Sequence, residues 1–80
     1  MPVVRIKVCD GGGQPLAKQR IKVGECDELV SNDSGMAQFL VVGDGPVDVL
    51  INEATVLSCA VADLKKDEIF TQSGSSFTRR

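Results

Sequence analysis

Residues 4–23 read VRIKVCDGGGQPLAKQRIKV, two alternating segments with a break between them. Every second residue from Val4 to Val8 is apolar, which is the two-residue period of a strand with one buried face. Glycines and a proline interrupt the pattern over residues 11–15, because such residues cannot hold a ladder of strand hydrogen bonds. Alternation then resumes over residues 18–23. The stretch therefore predicts two strands joined by a loop.

The rest of the chain repeats this plan of short apolar segments between turn-forming residues. The pattern predicts further strands at residues 28–31, 36–42, 47–51, 55–62 and 68–71, a loop or single helical turn at 63–68, and a flexible C-terminal tail at 73–80. No window shows the 3.6-residue period of an amphipathic helix. Six or seven short strands with frequent turns indicate a single small all-β domain over residues 1–72, an antiparallel Greek-key-type β-sandwich.

Composition excludes several classes of chemistry. The chain has 80 residues, with no His, Trp or Tyr and only three Phe. Without His there is no catalytic triad, no Cys–His pair and no His-ligated zinc site. Three scattered Phe argue against an aromatic platform for single-stranded nucleic acid. No nucleophile–base or acid–base pair can be assembled, so we expect no enzyme, no cofactor and no metal.

Charge is segregated along the chain, although the net charge is only −2. Residues 1–24 carry five cations against one anion, residues 25–63 carry eight carboxylates and no cation, and residues 64–80 carry four cations against two anions. If the first two strands are neighbours, five cations converge on one outer face: Arg5, Lys7, Lys18, Arg20 and Lys22. A solvated strand face is the favoured interpretation. A protein-docking surface with the acidic middle segment as its counterpart is the second, and the negative total charge argues against nucleic acid.

Three apolar residues lie on the side of their strands opposite Phe39 and Val49: Leu40, Val42 and Leu50. They either cover a second layer or form an exposed apolar patch of the kind that marks partner contact. The first is favoured, because a small sandwich uses both sides of some strands near its edges.

Other polar groups fit structural roles better than chemical ones. Residues 11–13 (GGG) lack the Lys-Ser/Thr of a phosphate loop, so a plain loop is favoured. Asp33, Asp44 and Asp48 fit no calcium-loop spacing and stand in turns, where Asp is locally useful. Alternation places Cys9 on the solvent-facing side of the first strand.

The cysteines and the chain's N-terminal region bear on its compartment. The chain has three widely spaced cysteines, Cys9, Cys26 and Cys59. This odd number and wide spacing favour three reduced thiols over one disulfide or one reactive thiol. No secretory signal is visible, and no apolar run approaches a membrane span. We expect cytoplasmic synthesis, with export without a cleaved signal or incorporation in a particle left open.

Several motifs resemble carboxypeptidase regulatory-like domains, which belong with the transthyretin-like (prealbumin-like) β-sandwiches. They are VCDGGGQPLA at residues 8–17 with IKV at 21–23, SNDSGMAQF at 31–39 and GPVDV at 45–49. The resemblance covers residues 3–52. It implies the sandwich fold and no shared catalytic residues, since such domains serve as accessory or binding modules on larger enzymes, surface proteins and bacterial secretion or phage-tail tips.

The leading functional hypothesis is a non-enzymatic protein-binding or accessory module. It would dock onto a separate partner through an edge strand or a charged outer face. One alternative is a structural subunit, either homo-oligomeric or an accessory of a phage-tail or contractile-injection tip. Another is a small inhibitor or regulator from a mobile element that uses the acidic segment to block a basic site.

Overall fold

Two four-stranded sheets pack face to face in the computed structural model, which describes residues 3–41, 43, 45–74 and 76–79. The strands of the described residues are β1 Val3–Cys9, β2 Arg20–Val23, β3 Leu29–Val30, β4 Met36–Leu40, β5 Pro46–Ile51, β6 Ala54–Ala60, β7 Asp67–Ser73 and β8 Ser76–Arg79. Sheet I has the order β4-β1-β7-β8, and sheet II has the order β3-β2-β5-β6. The predicted small all-β sandwich is confirmed.

The core lies between the sheets and is built by the predicted alternation. Val4, Ile6 and Val8 of β1 are buried against Ile21 and Val23 of β2 and their neighbours. All three Phe side chains are buried as well. Because every second residue of these strands is apolar, each strand has one apolar face, and that face lies toward the core between the two sheets.

One strand pair differs from the antiparallel pairing that we expected. β1 pairs with β4 antiparallel and with β7 parallel, with Val8 opposite Phe70 in the parallel ladder. Strand alternation is the same in either direction, so the sequence pattern carries no information on this orientation. The centre of sheet I therefore joins the two ends of the chain.

The predicted flexible tail at residues 73–80 is wrong for its described part. β7 extends to Ser73, Gly74 turns with φ +63°, and β8 follows at Ser76–Arg79. Phe77 is buried in the core, and Arg79 forms an ion pair with Glu68. The polar composition of residues 73–76 suggested fraying, but one buried aromatic ring and one ion pair attach the segment to sheet I.

A single helical turn follows β6 as predicted, but it begins two residues before the predicted segment 63–68, and β7 already begins at Asp67. A 3₁₀ turn spans Val61–Asp63 and buries Val61 against the core. It is the sole helical element of the described residues, and at three residues it is far too short to cross a membrane.

Cys9 lies on the outer side of β1 as predicted from alternation, but it is buried and not solvent-facing. Its exposed fraction is 2%, and its Sγ lies 3.6 Å from the Phe70 carbonyl oxygen and 3.7 Å from Thr71 Oγ1. β7 covers it on one side and the Pro15 bridge on the other. Loop residues that pack over an outer face override the strand's own periodicity.

Candidate protein-binding surface

The five predicted cations do not converge, so that prediction is wrong. β1 belongs to sheet I and β2 to sheet II, so the two strands present their outer faces on opposite sides of the sandwich. Arg5 and Lys7 lie on the first face, and Arg20 and Lys22 lie on the second. Lys18 stands in the preceding loop with φ +61°. Consecutive strands that enter different sheets cannot combine their outward charges.

Two of these cations are partly neutralised by carboxylates far away in sequence. Arg5 Nε lies 2.8 Å from Asp67 Oδ1 on the adjacent strand of sheet I. Arg20 NH1 lies 3.0 Å from Glu53 Oε1 at the β5–β6 turn of sheet II. Both pairs are about half exposed or more, so each contributes only about 0–1 kcal/mol to folding. Because of these pairs, the guanidinium groups of Arg5 and Arg20 are less available to bind a partner through a charged outer face.

Leu40 and Leu50 do not cover a second layer, which was the favoured expectation for the three apolar outer residues. Leu40 is 53% exposed on the outer face of sheet I. Leu50 is half-buried on the opposite outer face, between Lys22 and Thr55 in the ladder of sheet II. Val42 lies outside the described residues. The two leucines therefore cannot belong to a single patch.

Exposed apolar side chains instead gather at one side of the sandwich. Among the described residues, the large hydrophobic side chains with high exposure are Val3 (40%), Leu29 (40%), Val30 (55%) and Leu40 (53%). β4 is the edge of sheet I and β3 is the edge of sheet II, while Val3 of β1 pairs directly with Leu40. We call these four residues the β3–β4 side.

The turn between β3 and β4 holds the two edges next to each other. Asn32 donates its backbone N–H to the Met36 carbonyl, and its Oδ1 accepts from the backbone N–H groups of Ser34 and Met36. At the other end of β4, the Cys26 thiol donates to the Leu40 carbonyl over 3.3 Å. The two edges therefore lie on the same side of the sandwich, although Val30 pairs with Arg20 on the outer face of sheet II and Val3 pairs with Leu40 on the outer face of sheet I.

Hydrogen-bond directions show which backbone groups of β4 face outward. Arg5 donates its backbone N–H to the segment that leads into β7, so the preceding residue Val4 faces β4. Its partner there is Phe39. Backbone groups of successive strand residues point to opposite neighbours. The peptide groups of Gln38 and Leu40 therefore point away from sheet I.

Most backbone groups on this outward edge of β4 already have hydrogen-bond partners, which limits the pairing of another strand with it. Met36 is engaged by the Asn32 turn, and the Leu40 carbonyl accepts from Cys26. Within the part of the chain that the structure describes, Gln38 alone keeps both edge groups without a partner. Proteins commonly blunt edge strands in this way against unwanted sheet extension. The β3–β4 side thus offers apolar side chains more than backbone groups.

Charged residues of both signs surround the β3–β4 side, including Asp33 in the β3–β4 turn and Lys18, whose backbone N–H donates to the Ser31 carbonyl. The loop from β2 to β3 carries three carboxylates: Glu25, Asp27 and Glu28. Sheet I and the turn into β7 carry three amines: Lys7, Lys65 and Lys66. Across the described residues, none of these six takes part in an ion pair. Both flanks are therefore free to meet a partner's charges.

A shallow groove adjoins the basic flank. It has a volume of about 420 Å³, and its lining includes Val3, Gln38, Leu64 and Lys66. Val3 is the cross-strand neighbour of Leu40, so the groove continues the apolar part of the β3–β4 side.

The loops considered for phosphate and calcium binding are engaged internally. Asp10 Oδ1 accepts the backbone N–H groups of Gly12 at 2.8 Å and Gln14 at 3.0 Å, so the glycine loop closes on its own carboxylate. Asp33 lies in the β3–β4 turn, whereas Asp48 on β5 accepts from Ser58 Oγ. Asp44 lies outside the described residues. Asp33 and Asp48 belong to separate regions of the fold.

A buried carboxylate connects the C-terminal strand to the rest of the fold. Glu68 accepts two hydrogen bonds from Arg79, at 2.8 and 2.6 Å, and one from the Lys65 backbone N–H at 2.8 Å. Burial disfavours its charged form, but these hydrogen bonds outweigh that cost and lower the pKa of Glu68. The nearby Cys59 thiol has a raised pKa, chiefly through burial and in spite of the Arg79 charge. This cluster attaches β8 and is separate from the β3–β4 side.

Sequence reasoning missed Leu29 and Val30 as surface residues. It placed both in a short strand but assigned them to no face. A signal was present, since a strand of only a few residues beside a run of carboxylates is typical of a sheet edge.

Comparison with protein-family models, curated proteins and solved structures returns no match for this chain. The transthyretin-like resemblance therefore stays a prediction, and the geometry of the β3–β4 side is the basis for assigning a function.

Proposed function

We propose that this chain is a non-enzymatic protein-binding module that docks through the β3–β4 side. The observation that carries the proposal is the confinement of the exposed large apolar side chains to that side. Scattered exposed hydrophobic residues are normal, but several on one side of a small domain are typical of a partner contact. The opposite side, around β6 and β8, exposes no comparable residue in the described part of the chain.

The size of the apolar contribution predicts a modest affinity. Complete burial of a Val or Leu side chain is worth about 1.5–3 kcal/mol. The four residues of the β3–β4 side are about half exposed, so covering them contributes about 4 kcal/mol. Association costs at least about 4 kcal/mol in lost freedom of motion. A useful complex therefore also needs the flanking charges.

Two modes of docking are compatible with the sequence, one through an edge strand and one through a charged outer face. The ion pairs of Arg5 and Arg20 weaken the second mode, because those guanidinium groups already have partners. Most outward backbone groups of β4 already have hydrogen-bond partners, so docking through this edge strand is limited to side-chain contacts. We therefore assign docking to side chains at the edge, including Leu40 from the predicted set.

The transthyretin-like resemblance is part of this proposal. Two four-stranded sheets around a Val-rich core support it, together with the motifs at residues 8–23 and 31–39. If the resemblance holds, an accessory role on a larger assembly follows from it, including the tail-tip role considered from the sequence.

The acidic loop supports a second candidate function, the blocking of a basic site on another protein. Glu25, Asp27 and Glu28 are exposed within four residues of each other. An inhibitor of this kind would lose affinity when these residues become amides. A Leu40→Ser variant would leave its affinity almost unchanged, which distinguishes it from apolar docking.

Site-directed photo-crosslinking tests the proposal. A benzophenone amino acid replaces Leu40 in one variant and Thr55, exposed on β6, in a matched control. After irradiation in a lysate of the source organism, we expect a discrete adduct from position 40 and none from position 55. Identical adduct patterns from both positions, or no adduct from position 40, would contradict docking through the β3–β4 side.

A further inference from the structure

A second cavity, distinct from the groove beside Lys66, opens at one end of the sandwich. Strands β2, β4 and β6 end here and β5 begins here, so the cavity lies where loops close the space between the two sheets. Its volume is about 440 Å³. Cavities that hold small ligands commonly have volumes of about 300–1,000 Å³. This cavity is therefore large enough for a small molecule.

The walls of this cavity are mostly apolar and come from both sheets. Val23 of β2 and Val47 of β5 line it from sheet II, and Val41, which follows β4, lines it from sheet I. Pro46 and Val61 add to the apolar lining. Val23, Val41 and Val61 are buried core residues, whereas Val47 is half-buried. Because a close-packed core leaves few voids, the apolar part of a ligand could extend the core at this point.

One carboxylate accompanies these apolar walls. Glu25 is the sole charged residue among the described residues that line the cavity, and it is exposed. Across the described part of the chain, Glu25 forms neither an ion pair nor a side-chain hydrogen bond. Residues 25–63 contain no Lys or Arg that could neutralise it from nearby in sequence. The cavity therefore combines an apolar interior with an unneutralised negative charge.

A turn that is attached to both sheets carries Glu25. The Cys26 backbone N–H donates to the Val23 carbonyl over 3.0 Å, which places Glu25 in a tight turn. The Gly24 N–H donates to the Asp48 carbonyl of sheet II over 2.8 Å. The Cys26 thiol donates over 3.3 Å to the carbonyl of the last residue of β4, in sheet I. The backbone that carries the carboxylate is thus fixed before a ligand arrives, which lowers the entropy cost of binding.

We infer that this cavity binds a small amine with an apolar chain, an alkylammonium ion. The apolar chain lies against the valines, and the ammonium group stays at the mouth, where Glu25 supplies the opposite charge. This small-molecule site goes beyond the proposed docking through the β3–β4 side, which requires no such ligand.

Other ligands satisfy only part of this cavity. A fatty carboxylate would fill the apolar interior but be repelled by Glu25. A lysine side chain of another protein would enter with its ammonium group first and bring that charge against Val23 and Val41, where an unpaired charge is costly. The first residue of a peptide chain does join an apolar group to an ammonium group. Peptide ends are therefore compared with free amines in the test.

NMR titration of the isotope-labelled chain with hexylammonium, butylammonium and hexanoate tests the inference. For hexylammonium we expect a dissociation constant on the order of 1 mM, with amide shifts at Val23 and Val47 and none at Gln38 or Leu64 of the groove. Each buried methylene tightens binding about threefold, so butylammonium should bind about tenfold more weakly. Hexanoate has the same chain length as hexylammonium and the opposite charge, and it should bind at least about threefold more weakly.

Two variants of the acidic loop show whether Glu25 is responsible for the charge preference. Glu25→Gln keeps the shape of the side chain and removes its charge, so the affinity for hexylammonium should fall about three- to fivefold. Glu28→Gln is the matched control, because Glu28 is exposed in the same loop but is not among the lining residues. Its affinity for hexylammonium should match that of the wild type.

A third variant, Val47→Phe, fills the cavity and should abolish the shifts caused by hexylammonium. The dispersion of its own amide spectrum shows whether it is folded. If it does not fold, the comparison of Glu25→Gln with Glu28→Gln decides.

Several results would overturn the inference. They are the absence of shifts at the cavity up to about 10 mM hexylammonium, equal affinities for hexylammonium and hexanoate, and equal losses in the Glu25→Gln and Glu28→Gln variants. Leucinamide, which represents the first residue of a peptide, is the last comparison. Weaker binding of leucinamide than of hexylammonium supports a free amine as the ligand. Tighter binding would assign the cavity to the chain ends of proteins instead.

Discussion

Replacing Gly35 by alanine should be among the most destabilising small changes in this chain. Gly35 is buried at the end of the β3–β4 turn with φ +74°, a conformation that residues with a side chain rarely adopt. An added Cβ would lie 2.5 Å from the Val8 carbonyl oxygen and 3.1 Å from the Leu16 backbone nitrogen. Those two atoms share a hydrogen bond of 3.0 Å, and Gly35 itself accepts from the Val8 N–H over 2.8 Å. The methyl group would therefore enter a junction built from these backbone atoms and the Pro15 Cβ, which would lie 3.1 Å away.

The expected loss follows from these distances. A carbon normally approaches a carbonyl oxygen to about 3.3 Å, so the backbone must separate by about 0.8 Å. The left-handed conformation costs alanine about 1 kcal/mol. Disruption of the two backbone hydrogen bonds, whose groups are buried, adds about 1–2 kcal/mol each. Together these contributions lower the free energy of unfolding by about 3–5 kcal/mol, which corresponds to a fall in Tm of about 15–30 °C for a domain of this size.

Gly74→Ala is the matched control, because Gly74 turns with φ +63° but an added Cβ meets no described atom within 4 Å. This variant measures the cost of the left-handed conformation alone, so we expect the free energy of unfolding to fall by about 1 kcal/mol. Differential scanning calorimetry and urea titration measure both variants. If Gly35→Ala and Gly74→Ala lose equal stability, the close approach of Gly35 to β1 is not what makes glycine necessary.

Two further predictions concern charged pairs. Glu68→Gln should lower the free energy of unfolding by about 2 kcal/mol in urea titration, because the buried position loses charge-assisted hydrogen bonds to Arg79. Since the folded pKa of Glu68 lies below its ordinary value of 4.5, its contribution is complete above that pH and is lost as pH falls through the folded pKa. The wild type should therefore lose more stability than Glu68→Gln between about pH 5 and pH 2, and parallel curves would refute the assignment. For Arg20 and Glu53, a double-mutant cycle should give a coupling energy below about 1 kcal/mol, because both side chains are exposed to solvent. A larger value would contradict this account of the pair.

Face assignments were predictable because strand alternation is a local property. Each residue's side of a strand follows from its immediate neighbours. Val4, Ile6 and Val8, together with Ile21 and Val23, were therefore placed correctly in the core. The break at residues 11–15 was predictable for the same reason, since Gly and Pro act on their own backbone.

Assignment of strands to sheets was not predictable, and the candidate site depended on it. The convergence of Arg5 with Arg20 failed because β1 and β2 enter different sheets. The ion pairs Arg5–Asp67 and Arg20–Glu53 join residues that are distant in the chain. No sequence spacing predicts such pairs.

By itself the sequence determined the all-β class, the inward faces of the strands and the segregation of charge along the chain. Only the tertiary structure decided that β1 pairs parallel with β7, that residues 76–79 form a strand, and that the exposed apolar side chains lie along the edges that form the β3–β4 side. The physical reason is the range of the interactions. Strand period and turn chemistry act over two to four residues, whereas a docking surface is made by edges that come together only when both sheets have closed around the core.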